Sequence, residues 1–185
     1  MQRETVDRRA VLESLYEEHR RLLSSWTAAG ETLRPVFGEG PVGAAAMLVG
    51  EAPGAEETEL GRPFVGRAGR VLNAFLEGAG LERGELYVTN AVKYRPYRLN
   101  ERTGRKSNRT PGSREIALGR PLLLREVELL QPRVIVTLGN TPLRALGEAE
   151  TVGALHGQRL SRLGRLLFPL YPPASILYNP ALRQA

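Results

Sequence analysis

The chain has 185 residues, 42% of them hydrophobic, and a formal net charge of +6 from 26 Lys and Arg against 20 Asp and Glu. That length fits one domain over residues 1–185, and its apolar content can fill a core, which excludes global disorder. No cysteine is present, which excludes disulfides, thiolate metal sites and cysteine nucleophiles.

The N-terminus, Met1-Gln2-Arg3-Glu4, is charged, and no apolar run approaches membrane-spanning length, so a cytoplasmic protein is expected. Residues 7–26 read as an amphipathic helix, with Val11, Leu12, Leu15, Leu22 and Leu23 at helical spacing and Trp26 packing at its end. His19 falls on the polar side of that helix, where solvation is expected. Residues 45–50 form a short apolar strand. It leads into a long loop, Gly50-Glu51-Ala52-Pro53-Gly54 through Gly61-Arg62-Pro63-Phe64-Val65-Gly66. Glycines admit close backbone approach and prolines fix shape. Three glutamates (Glu56, Glu57, Glu59) and one aromatic (Phe64) suit a flat polar ring.

A helix over 67–80 turns Val71, Leu72, Phe75 and Leu76 inward, with Gly78 or Gly80 near its C-cap. A strand over 86–89 ends at Asn90, whose amide offers a donor beside an acceptor; simple strand capping is the alternative. Residues 93–111 form a basic loop with Lys93, Arg95, Arg98, Arg102, Arg105, Lys106 and Arg109, interleaved with Tyr94 and Tyr97. Cations neutralise phosphates and aromatics stack on unpaired bases. A solvated surface loop is the alternative.

Ser113 is the expected N-cap of a helix reaching 130, with a kink or restart at Pro121. A strand over 134–138, a short helix over 141–146 and a last strand over 165–170 follow. His156 is either a catalytic donor or a turn residue. Two histidines without carboxylates at ligand spacing predict no metal site, and no phosphate loop or dinucleotide fingerprint occurs. The run Pro169-Leu170-Tyr171-Pro172-Pro173-Ala174-Ser175-Ile176-Leu177-Tyr178-Asn179-Pro180 is either a rigid apolar wedge or a structured tail covering the core.

Strands alternating with helices imply an α/β fold with a mainly parallel sheet covered on both faces, its site at the strand ends after Val49, Thr89, Leu138 and Leu170. The basic balance points to a polyanion, nucleic acid before membrane surface, although many soluble domains are simply basic.

These motifs, with Thr89-Asn90, Lys93, Arg95-Pro96, Arg109-Thr110-Pro111, Leu138-Gly139 and Asn179-Pro180, resemble the uracil-DNA glycosylase superfamily, most closely its family 4, from about residue 36 to 180. The resemblance implies a central four-stranded parallel sheet and hydrolysis of the bond between uracil and deoxyribose after base flipping. It places Gly50, Glu51, Phe64 and Asn90 against uracil. Phe64 would stack on the base, and Asn90 would read its O4 and N3 edge. Glu57 would orient water or offset charge on the sugar. Lys93, Arg95, Arg98, Arg105, Lys106 and Arg109 would contact DNA, and Leu177 or Tyr178 would fill the vacated stack.

Two departures stand out. The family's four iron–sulfur cysteines align with Leu23, Trp26, Tyr94 and Gly119, so no cofactor is expected and packing takes the cluster's structural place. The histidine that donates to uracil O2 aligns with Pro172; Tyr171, Ser175 or His156 could compensate. The basic loop is longer than in most of the family and, unlike that of some relatives, holds no histidine. The expected partner is uracil-containing DNA, single-stranded forms included, bound by a monomer away from membranes. The alternative is a weak or inactive binder of the same DNA.

Overall fold

The computed structural model describes residues 7–28 and 31–178. Its elements are α1 (Arg8–Ser24), β1 (Thr27–Ala28), β2 (Glu31–Thr32), β3 (Ala46–Gly50), α2 (Ala55–Leu60), α3 (Arg67–Gly78), β4 (Tyr87–Asn90), β5 (Tyr97–Leu99), β6 (Lys106–Asn108), α4 (Ser113–Leu130), β7 (Val134–Leu138), α5 (Asn140–Ala145), α6 (Val152–Leu155), β8 (Leu160–Arg162), β9 (Arg165–Leu170) and α7 (Pro173–Tyr178).

The apolar runs pair as a five-stranded sheet in the order β4-β3-β7-β9-β8. The first four strands are parallel, as expected, and β8 adds an antiparallel edge through a tight turn at Leu163 and Gly164. Alternation along β3 divides the core. Met47 and Val49 pack with Leu12, Leu123, Val127 and Leu143 of α1, α4 and α5. Leu48 faces the other way, against Leu72 and Leu76 of α3. Both faces are therefore covered, as parallel sheets require. The register sets Gly50 beside Asn90 and Leu138 beside Leu170, bringing four strand ends to one edge.

Asp7 caps α1, its carboxylate accepting from the amides of Arg9 at 2.9 Å and Ala10 at 3.3 Å. The cap of α4 is Gly112 rather than Ser113, because Glu115 reaches back to the Gly112 amide at 2.7 Å. The helix runs unbroken through Pro121, with no restart. Phe75 and Trp26, expected to pack inward, are 43% and 40% exposed. The contact stripe of α3 is narrowed to Leu72 and Leu76, one turn apart. Residues 97–108, read as loop, contain the hairpin of β5 and β6.

His19 is buried rather than solvated, because Phe37 folds over α1, its ring edge-on to the imidazole at 6.3 Å and stacked on Tyr16 at 4.3 Å. Burial and the nearby Lys93 ammonium lower the His19 pKa to about 4. The unfolded chain, with a pKa near about 6.5, therefore takes up a proton before the fold does. Stability is present above that value and is lost as pH falls towards 4. His19→Leu should flatten the decline in melting temperature between pH 6.5 and 4, and an unchanged pH profile would contradict this.

Candidate active site

The four strand ends open on a cleft of about 770 Å³. One wall is the loop after β3, which Glu57 organises. One Glu57 oxygen accepts from the amides of Val65 at 3.1 Å and Gly66 at 2.7 Å, and the other from Gly54 at 3.0 Å. A carboxylate offers about four acceptor positions, so this latch leaves one for a ligand or water. The loop carries Phe64 at φ +53°, a conformation that costs a bulky residue about 1–3 kcal/mol. Its surroundings impose that geometry. Arg83 donates to the carbonyls of Pro63 at 2.7 Å and Phe64 at 3.2 Å, and is itself held by Glu39 at 2.9 Å. A Cβ on Gly69 would lie 1.9 Å from the Phe64 carbonyl oxygen, so only glycine fits beneath it.

Gly50 joins this wall to the next. A Cβ there would lie 2.3 Å from Cζ of Phe64 and 2.4 Å from Oδ1 of Asn90. Only glycine, with no Cβ, lets the Phe64 ring and the Asn90 amide both close on the end of β3, where they meet at the cleft. Asn90 is 3% exposed and lines the cleft, and its side-chain amide takes no hydrogen bond among the described residues. A nearly buried amide at a cleft, with its donor and acceptor unused, has both available to a ligand.

Beneath Asn90 lies a fully buried polar group. Lys93 Nζ donates to the Asn90 carbonyl at 2.8 Å, the Thr89 hydroxyl at 2.7 Å and the Glu126 carboxylate at 2.6 Å. Tyr16 donates to the other Glu126 oxygen at 2.7 Å and meets the Tyr87 hydroxyl. Burial pulls the Lys93 pKa down against the opposing pull of Glu126. Lys93 is 0% exposed, which corrects its placement among DNA contacts: it supports β4 from inside the core.

The far wall differs in character. Thr141 donates to Glu51 at 2.6 Å, fixing one side of that carboxylate at the cleft. Beyond it stand Pro172, Pro173 and Ala174. Pro172 abuts Gly139, with 3.4 Å from its Cγ to a Cβ built there. The expected substitutes point elsewhere: Ser175 bonds the Pro172 carbonyl at 2.7 Å, and His156 Nδ1 accepts the Tyr171 amide at 3.2 Å. Neither Tyr171, Ser175 nor His156 lines the cleft. Leu177 and Tyr178 end α7, but their side chains, like Asn179 and Pro180, lie outside the described residues.

The basic loop is only partly uncommitted. Arg109 lines the cleft but is clamped by both Glu115 oxygens at 2.6 and 3.0 Å. Arg95 bonds Asn108 at 2.7 Å, and Lys106 pairs with Glu31. Arg98 and Arg105 are exposed. Two further arginines, Arg67 opening α3 and Arg144 on α5, line the cleft without an ion pair among the described residues. Nothing in their local sequence marks them; only the convergence of distant helices does.

An iron–sulfur cluster does not fit the positions aligned with its ligands. Leu23, Trp26, Tyr94 and Gly119 supply no thiolate or imidazole. Leu23 and Tyr94 instead pack with Val92, and a Cβ on Gly119 would lie 2.2 Å from the Ala91 carbonyl oxygen. Packing thus occupies three of the four positions, while Trp26 is exposed. Among the described residues, no His, Asp and Glu side chains cluster to hold a metal, and no helix is long and apolar enough to cross a membrane.

Residues 37–185 match the family model described as the uracil DNA glycosylase superfamily. A type-4 uracil-DNA glycosylase of Pyrobaculum aerophilum is 40% identical over 157 residues, covering 80% of this chain and 76% of that protein. The chain belongs to the uracil-DNA glycosylase superfamily. A type-4 uracil-DNA glycosylase of Thermotoga maritima is 37% identical, covering 78% and 72% of the two chains. A type-5 uracil-DNA glycosylase of Pyrobaculum aerophilum is 30% identical, covering 86% and 73%.

Proposed function

We propose that the chain is a uracil-DNA glycosylase, hydrolysing the N-glycosidic bond of deoxyuridine in DNA without an iron–sulfur cluster. The observation that carries this reading is the convergence, on Gly50 at the cleft, of the Phe64 ring and an Asn90 amide that has no hydrogen bond among the described residues. A flipped uracil would stack on Phe64 and present O4 and N3–H to the Asn90 donor and acceptor. Cytosine reverses both groups and would be rejected. As the C1′–N1 bond breaks, positive charge grows on the sugar and negative charge on the base. The carboxylates of Glu51 and Glu57 would oppose the first charge, with the remaining Glu57 acceptor position orienting the water. That water would add hydroxide to C1′ and yield its proton, uracil leaving as the anion and regaining a proton at N1. Arg67, Arg98, Arg105 and Arg144 suit the flanking phosphates. A monomer acting in the cytoplasm completes the reading.

The apolar wall at Pro172 favours a second reading, a binder of uracil-containing DNA that turns over slowly or not at all. One assay separates the two. A labelled single-stranded oligonucleotide with one uracil is incubated with the protein and then treated with alkali. Cleavage at the uracil position is expected. Tight binding without cleavage over hours would reject the enzyme.

A further inference from the structure

A second cavity, of about 630 Å³, lies beside the first and is lined by Glu31, Arg34, Thr58, Tyr94, Arg95, Tyr97 and Lys106 among others. Its volume is that of a ligand pocket rather than a surface dimple. Three of these side chains are cations and one is an anion. The Tyr97 ring has Arg95 at 5.9 Å and Lys106 at 4.8 Å from its centroid, which fixes both cations against one aromatic face or edge. The two cavities share a partition. Arg95 of the second bonds Asn108 of the first, and Asn108 Nδ2 lies 3.3 Å from a Cβ built on Gly54. On the other side of that partition, α2 turns Thr58 into the second cavity and Glu57 into the first. A strand entering the first cavity therefore has a cationic continuation within the same surface.

We infer that this second cavity holds a phosphodiester of the substrate strand flanking the flipped nucleotide, and that Glu31 restrains its occupancy by neutralising Lys106. The inference rests on the glycosylase reading for the identity of the strand. The chemistry favours phosphate. Arg34 makes no ion pair among the described residues, and the Thr32 hydroxyl adds a donor, that of Thr58 being given to the Gly54 carbonyl at 2.7 Å. Glu31 stands where a phosphate would compete with it. Its carboxylate pairs with Lys106 and accepts from the Tyr97 hydroxyl at 3.3 Å, and Lys106 holds it below the usual carboxylate range. It is therefore ionised at neutral pH and repels a phosphate until Lys106 is surrendered.

This arrangement gives a gain-of-affinity test. Binding of a uracil-free single-stranded 12-mer is followed by fluorescence anisotropy across a salt series for the wild type, Glu31→Gln and Arg34→Ala. Glu31→Gln should tighten binding about three- to fivefold at low salt, the scale of one exposed charge pair. It should also steepen the slope of log affinity against log salt by about 0.7, one further phosphate on a single strand. Arg34→Ala should weaken binding and make the slope shallower by a similar amount. Unchanged affinity and slope in Glu31→Gln, with wild type binding normally, would overturn the inference. Because the probe contains no uracil, this outcome is independent of excision. Absence of uracil excision would count against the glycosylase reading alone.

Discussion

Replacing Lys93 by methionine should destabilise the protein by about 3–5 kcal/mol, because it leaves the Glu126 carboxylate charged, buried and without its cation. Glu126 and Lys93 are both 0% exposed, so water cannot take the place of the lost partner. For a domain of this size the loss corresponds to a fall in melting temperature of about 6–20 °C. The double variant Lys93→Met/Glu126→Leu removes both charges and should recover most of that loss, since buried ion pairs are often matched by well-packed apolar residues. Urea unfolding of the three proteins measures both statements. A loss below about 1 kcal/mol in the single variant would contradict the ion pair's place in the core. The double variant reports a second property. Without the Lys93 bond to the Asn90 carbonyl, restored stability should not restore full excision, because nothing then fixes the end of β4 from below.

Pro172→His should accelerate uracil excision by about a hundred- to a thousandfold, the scale of one donor to an oxyanion, about 3–4 kcal/mol. Proline has neither an amide hydrogen nor a polar side chain. The neighbouring donors are committed, Ser175 to the Pro172 carbonyl and the Tyr171 amide to His156. Pro172 lines the cleft and packs against Gly139, so a donor at that position would stand at the wall of the proposed base site. Single-turnover excision by the variant and the wild type decides this. Equal rates would show that charge on the leaving base is met from another direction.

The regular fold was legible because its signals are local. The apolar runs before Gly50 and at 134–138 read directly as buried strands, and turn residues separate them from helical patterns. The edge strand Leu160–Arg162 was not legible: it is short and polar, and its pairing depends on a turn at Leu163 and Gly164. The hairpin of β5 and β6 was hidden by charge, although Asn100 and Gly104 close it through a 2.8 Å backbone bond with Gly104 at φ +65°. Lys93 shows the deeper limit. In sequence it opens a run of cations, and its burial is decided by Glu126, 33 positions away. His19 is the same case, covered by Phe37 rather than by its own helix.

In the candidate site, Gly50, Phe64 and Asn90 were legible as unusual residues at strand ends. What remained unreadable was how they are held. Arg83 clamps the Phe64 backbone from 19 positions on, and Glu57, expected to act on water, spends three acceptor positions on the loop itself.

Phe64 and Asn90, meeting at Gly50 on the cleft, are the pair proposed to select uracil for excision. Single-turnover release of free base from otherwise identical oligonucleotides bearing uracil or cytosine, by the wild type and by Asn90→Ala, tests that selection most directly. The wild type should release uracil but not cytosine, and Asn90→Ala should lose uracil release while the fold and the affinity for uracil-free DNA persist. Undiminished uracil release by Asn90→Ala, or equal release of both bases by the wild type, would contradict it.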